Sequence, residues 1–233
     1  MRLNKYIASC GAASRRGADA MIAAGRITVN GTVAQTMGID VDVDNDVVCL
    51  DGIALRQDNE NVYIMLNKPA GYLSACVDDR GRKTVVDLVQ DAGARLFPVG
   101  RLDLDTEGML LLTNDGDFAY KCTHPKHEVP KKYYVIVKGV LPDGALQTLR
   151  DGVKVDGERT QPALIEIISR SSKRAELFVT IREGKNRQIK KMFQLAGCRV
   201  SYLKRVAIGG LELADLAIGH WRRLTQQDIA LLD

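Results

Sequence analysis

The sequence lacks the marks of several protein classes. Its five cysteines (Cys10, Cys49, Cys76, Cys122 and Cys198) are odd in number, lie far apart and form no CxxC pair. That argues against a disulfide framework or a zinc ribbon and points to a reducing compartment. No apolar run approaches the length that crosses a bilayer, and the opening MRLNKYIASCGAASRRG has no signal-peptide core. No glycine-rich nucleotide-binding loop occurs. In CTHPKH, residues Cys122, His124 and His127 suggest metal ligands, but Pro125 breaks any helix that would align them and no fourth ligand is apparent. The segment reads as a solvent-facing loop without a metal. Aromatic residues make up only 5% of the chain, so each one carries weight; His220 beside Trp221 reads as structural. A soluble cytoplasmic protein is expected.

What is present suffices for a folded core. Of 233 residues, 45% are hydrophobic. The length exceeds what one domain needs and predicts a large domain with a small one. Net charge is +4, so its distribution is more informative than its total. Across residues 1–30, Arg2, Lys5, Arg15, Arg16 and Arg26 face one acid, Asp19. The next thirty are acidic.

Leu3, Tyr6, Ile7 and Cys10 follow helical spacing, and Gly11 ends it. Ser14 is a plausible N-cap for a second helix with Ala18, Met21 and Ile22 on its apolar face; Gly25 stops it. Gly17 is a poor helix former within that run. Ile27-Thr28-Val29 leads into Asn30-Gly31, a strong hairpin signal, and alternation over Asp42–Leu50 predicts a further strand. RQDNEN (56–61) has no periodicity and marks a boundary, giving domains 1–58 and 62–233. Beyond it, VYIML, MLLLT, YYVIV, LIEII and ELFVTI read as strands, with helical patterns near 84–91, 117–122, 143–151 and 187–196. Many strands with a few short helices predict an α+β fold with a mostly antiparallel sheet.

The most informative stretch is PVGRLDLDTEGMLLLTNDGDF (98–118). Gly100 and Gly108 bracket a polar run that feeds a strand. Asp103 and Asp105 alternate as on a strand and are compatible with a divalent metal, as in a nuclease; they equally suit a role as plain surface charges, or as a nucleophile or base beside Arg101. The residue types alone leave these three open.

GRLDLDTEG resembles the signature loop of the RsuA branch of pseudouridine synthases, which also holds RluB, RluE and RluF. LNKPAGYLS (66–74) is similar to that branch's KPxG segment. The pattern over residues 2–50 resembles the RNA-binding module first seen in small-subunit ribosomal protein four. The resemblance spans essentially the whole chain and implies a small N-terminal module of helices plus hairpin, followed by a mixed-sheet catalytic domain. It implies that Asp103, directly after Arg-Leu, is the catalytic carboxylate. Arg101 then matches an arginine pushed toward the RNA stack, and Asp105 and Thr106 support the loop.

Two further motifs follow. In KKYYVIVKG (131–139), Lys131 and Tyr133 match the family's lysine-x-tyrosine element, with Tyr133 facing the site and Tyr134 the opposite side. In IREGKNRQIKKMFQLAGCRV (181–200), Ile189, Met192, Phe193 and Ala196 form a helical stripe, while Arg187, Lys190 and Lys191 share another face. There the family's basic residue pairs with the catalytic aspartate; Lys190 is the first choice for it and Arg187 the second. Arg182, Lys185, Arg199, Lys204 and Arg205 extend the positive charge. RNA-binding roles are expected for Arg2, Lys5, Arg15, Arg16, Arg26, Arg101, Lys131, Lys185, Arg187 and Lys191.

The implied reaction breaks the N1–C1′ bond of a uridine, turns the uracil and rejoins it through C5, with Asp103, Tyr133 and Lys190 as catalytic residues and no cofactor. The implied partner is ribosomal RNA or a ribosomal assembly intermediate, met by a monomer. A non-catalytic RNA-binding or ribosome-assembly factor on the same fold is the alternative, and a metal-dependent RNA nuclease comes third.

Overall fold

The computed structural model describes residues 1–36, 38–57 and 60–232. The chain divides into two compact units. The first holds Met1–Val62 together with residues 93–95 and 114–116. The second holds the remainder, Tyr63 onward. Residue 58, where the sequence closes the first domain, lies outside the described residues. The two short segments assigned to the first unit were not expected from the sequence.

In the first unit, α1 spans Leu3–Ser9 and α2 Arg15–Ala23. The Ser14 side chain accepts the Gly17 N–H (3.0 Å), capping α2 as expected. A Cβ on Gly17 would lie 3.2 Å from that same Ser14 Oγ and 3.3 Å from the Ala13 side chain. Close approach at the cap therefore accounts for the poor helix former. Strands β1 (Ile27–Val29) and β2 (Thr32–Val33) form the expected hairpin. Its corner residues Asn30 and Gly31 both have positive φ (51° and 80°), as a type I′ turn demands. Strands β3 (Val48–Leu50) and β4 (Ile53–Ala54) complete a four-stranded sheet. The strand predicted from Asp42 starts only at Val48. The Asp42 carboxylate instead accepts the Asp44 N–H (3.1 Å) and the Asn45 amide (2.9 Å), a local bonding that competes with a ladder. Leu3, Ile7, Ala18, Ile22, Ile27 and Val48 make the core.

The second unit is built on one sheet. In chain order its strands are β5 (Tyr63–Lys68), β6 (Phe97–Val99), β7 (Glu107–Thr113), β8 (Lys131–Lys138), β9 (Lys154–Val155), β10 (Glu158–Arg159), β11 (Leu164–Arg170), β12 (Arg174–Ile181), β13 (Arg199–Ile208), β14 (Leu211–Glu212) and β15 (Trp221–Arg223). The main path runs β11-β12-β8-β13-β7-β5-β15; β14 pairs with β13, β6 with β7, and β9–β10 form a separate hairpin. Only β13 and β7 run parallel, so the sheet is mostly antiparallel, as expected of this α+β fold. Helices α3 (Gly116–Thr123), α4 (Asp143–Asp151), α5 (Gln188–Leu195) and α6 (Gln226–Ala230) surround it. The helical pattern near 84–91 becomes two 3-10 turns, opened by a Thr84–Asp87 capping box.

Burial follows strand position. Met109 to Leu112 of β7 are all fully buried, the signature of a strand covered on both faces. In β8, Tyr133, Val135 and Val137 are buried while Tyr134 and Ile136 point to the other, half-exposed face. Ile189, Met192 and Phe193 bury the α5 stripe; a fully buried Phe such as Phe193 contributes roughly 1.5–3 kcal/mol. Among the described residues, no helix is long and apolar enough to cross a membrane.

The central strand β13 was not predicted. Arg199, Lys204 and Arg205 break its apolar alternation, yet Arg205 is buried. Its partner across the parallel pairing is Gly108. A Cβ at Gly108 would stand 2.2 Å from the Arg205 carbonyl oxygen, and Gly108 has φ +102°. Replacing Gly108 by Ala should therefore lower unfolding free energy by about 3 kcal/mol, read from urea denaturation. The same change at Gly144, an exposed position of α4 where an added Cβ meets nothing, should stabilise by roughly 0.5 kcal/mol.

Candidate active site

The loop between β6 and β7 carries Arg101 to Thr106. It is not the extension of a strand: the Thr106 N–H donates back to the Asp103 carbonyl (3.1 Å), folding residues 103–106 into a turn. Both carboxylates nevertheless reach one cation. Lys190 Nζ, on the first turn of α5, lies 2.9 Å from Asp103 Oδ2 and 2.5 Å from Asp105 Oδ1, and donates to Thr106 Oγ1 at 3.1 Å. The Lys190 side chain is 13% exposed and that of Asp103 26%. Screening by water is thus reduced at this pair, and the cation offsets the cost of keeping the carboxylate charged. Burial works to raise the Asp105 carboxyl, but its hydrogen bond to Lys190 and the charges of Lys190 and Arg187 hold it below the ordinary carboxylate range. Of the two cations considered for Asp103, Lys190 is the one in contact.

The loop is held from beneath by a residue to which the sequence assigned no role. Lys68, at the end of β5, has no exposed surface. Its ammonium donates to the carbonyls of Pro69 (2.9 Å), Asp103 (3.2 Å), Leu104 (3.4 Å) and Thr106 (2.9 Å). Burial pushes its pKa down to about 8, against the pull of Glu107, Asp105 and Asp103. The only signal for it was its place in the KPxG-like segment, since buried lysine is rare.

A pocket of about 80 Å³ opens over Asp103, lined by Arg101, Thr106, Tyr133, Arg187 and Leu203 among others. Tyr133 thus stands on the site face, as expected. Its hydroxyl accepts from Arg205 Nη1 (3.5 Å), and Arg205 Nε donates to the Met109 carbonyl (2.7 Å). Tyr134, on the opposite face, donates to Glu176. The turn before α5 depends on Gln188, also missed. Its amide donates to Glu183 (2.6 Å) and its oxygen accepts the Lys185 N–H (3.1 Å). Arg187 caps α5 with φ +51°, a left-handed conformation that costs an ordinary side chain about 1 kcal/mol or more.

The remaining predicted contacts divide into exposed and paired. Arg15, Arg16, Arg101 and Arg187 are exposed, and Lys5 and Lys131 half-buried. Arg2 pairs with Asp40 (3.3 Å) and Arg26 with Asp51 (2.5 Å), so acids from the second thirty residues return onto arginines of the first thirty, both just outside the helices. Lys185 pairs with Glu158 (2.9 Å) and Lys191 with Asp156 (2.5 Å), both on the β9–β10 hairpin. Cys122 corrects the reading of CTHPKH as exposed loop: it is in α3 and buried, as the apolar side of that helix requires. Trp221 donates to Asp91 (3.1 Å).

Asp103, paired with the sheltered Lys190, and Tyr133 both line the pocket of about 80 Å³. Residues 62–195 match the RNA pseudouridylate synthase family, and residues 1–48 match the S4 domain. The chain is 41% identical over 99% of its length to ribosomal large subunit pseudouridine synthase B of Bacillus subtilis, spanning 95% of that protein. It is 38% identical over its full length to an uncharacterized RNA pseudouridine synthase of Aquifex aeolicus, spanning 93% of it. A crystal structure of a pseudouridylate synthase superposes over all of both chains with TM-score 0.72 at 32% identity. The chain therefore belongs to the RNA pseudouridylate synthase family of isomerases, with an N-terminal S4 domain.

Lys68 gives a pH-dependent prediction. Its folded pKa of about 8 lies below the ordinary lysine value of 10.5, so between the two the unfolded chain holds the extra proton. Stability contributed at this position should then rise with pH from 8 to 10.5. Subtracting the unfolding free energy of Lys68→Met from that of the wild type across this window should yield a positive slope; a flat difference contradicts it.

Proposed function

We propose that the protein isomerises a specific uridine of large-subunit ribosomal RNA to pseudouridine, with Asp103 as its catalytic carboxylate and without a cofactor. The observation that carries this reading is the 2.9 Å contact of Lys190 with Asp103, whose pocket Tyr133 also lines. The name of the Bacillus subtilis relative supports the choice of RNA.

The target nucleotide leaves its stack at a cost of a few kcal/mol, which phosphate contacts offset. Arg101, exposed at the pocket mouth, is suited to hold the vacated stack. Asp103 acts as an anion, either on C1′ directly or on the C2′ proton; both routes break N1–C1′ and leave a uracil anion. Tyr133 stacks on the ring while it turns. C5 then bonds to C1′, displacing the Asp103 carboxylate in the first route or with Asp103 returning the proton to C2′ in the second; the C5 proton is lost as N1 gains one, so atoms balance without oxidant or metal. The S4 domain adds RNA affinity through Arg15 and Arg16. The protein works as a monomer in the cytoplasm, on naked or partly assembled ribosomal RNA.

Asp103→Asn should lower pseudouridine formation at least about a thousandfold while RNA affinity stays within about threefold. Retained turnover in a clean preparation refutes the assignment. Lys190→Met should reduce kcat by about a hundredfold with little change in KM, and Lys190→Arg should recover part of it. For the S4 domain, Arg15→Gln with Arg16→Gln should weaken binding and flatten the slope of log affinity against log salt by about 1–2.

A further inference from the structure

Behind Tyr133 lies a second cavity of about 180 Å³, which shares Arg101, Tyr133 and Gly184 with the pocket over Asp103. A water occupies roughly 30 Å³ of liquid, so this space admits a larger group. Its charge is lopsided. Arg101, Lys131, Arg182 and Arg205 line it against a single acid, Glu183. That acid is already committed: its Oε1 accepts from the Gln161 N–H (2.8 Å) and from Gln188 Nε2 (2.6 Å).

Among the described residues no carboxylate forms an ion pair with these cations, though Arg182 Nη1 donates to the Glu128 carbonyl (3.2 Å). Arg205 is 5% exposed, and its buried Nη2 has no hydrogen-bond partner among the described residues. An unsatisfied buried donor on a charged group costs more than one on a neutral group. Lys131 is held below the ordinary lysine range by burial and by the charge of Arg205. Two like charges gathered at a partly buried wall, with an unused donor between strands, are stabilised when an anion enters. We propose that this cavity is an oxyanion subsite that takes a backbone phosphate next to the extruded uridine, held by Lys131, Arg182 and Arg205.

The assignment rests on the RNA-modifying reading above and extends it. It gives Tyr133 a second role as the partition between base and phosphate. It also gives Arg205 two tasks, since Nη1 holds the tyrosine hydroxyl while Nη2 remains for the ligand. Arg205 is thus a positioning residue for Tyr133 as well as a ligand contact.

The test uses the full chain, inorganic phosphate and a large-subunit rRNA transcript. Phosphate is titrated at ionic strength matched with chloride while the Arg205 Nε resonance is followed. A saturable shift is expected in the wild type and none in Lys131→Gln/Arg182→Gln. In salt titrations with the transcript, that double variant should lose about tenfold in affinity and flatten the log–log salt slope by about 1–2. Lys131→Arg/Arg182→Lys should restore the slope, which a merely structural role would not require. No phosphate-dependent shift, an equal shift in the double variant, or a slope that the conservative pair fails to restore overturns the subsite. A phosphate shift with unchanged RNA affinity in the double variant overturns its assignment to the RNA backbone, leaving a site for free phosphate. Asp103→Asn distinguishes this proposal from the catalytic reading: it should lose product but keep the phosphate shift, and retained product would strike only the catalytic reading.

Discussion

The whole site depends on the contact of the β7 and β13 backbones at Gly108 and Arg205. No side chain fits between them, because even a methyl group at Gly108 would press on the Arg205 carbonyl. This contact ends the loop that carries Asp103 and begins the buried strand Met109–Leu112. It also sets Arg205 where its guanidinium meets both the β7 backbone and the Tyr133 hydroxyl. Loop, tyrosine and the wall between the two cavities are thereby registered to one another through the sheet.

Above that contact the loop is organised by two lysines with opposite tasks. Lys68 lies below and, among the described residues, bonds to carbonyls of residues 69, 103, 104 and 106. Lys190 lies above and bonds to the side chains of 103, 105 and 106. The backbone is thus held independently of the carboxylates. A change at Lys190 alters the charge on the acids' side of the loop and leaves the carbonyl anchors standing. Such a division fixes charged groups in place without calling on the same contacts that hold the backbone.

Much of the fold was legible because its patterns were local. The Ser14 cap, the Asn30-Gly31 turn and the five apolar strands each announce themselves within a few residues. Asp103, Tyr133 and Lys190 stood out in the sequence through their motifs; Asp103 and Tyr133 line one pocket, and Lys190 contacts Asp103. Arg205 and Lys68 were hidden for a physical reason: a charged side chain normally signals solvent, and only the tertiary structure shows the carbonyls that accept their protons. The same blindness concealed β13. Charge segregation along the first sixty residues likewise did not translate into space, since Asp40 and Asp51 fold back onto Arg2 and Arg26.

Total enclosure of Lys68 also makes it a timer. Amine-selective reagents attack only the neutral, accessible form of a lysine, and here access requires the loop to lift from the end of β5. Its slow acylation in the intact protein would therefore record how often the floor of the cleft comes undone, separately from the exposed lysines that react at once.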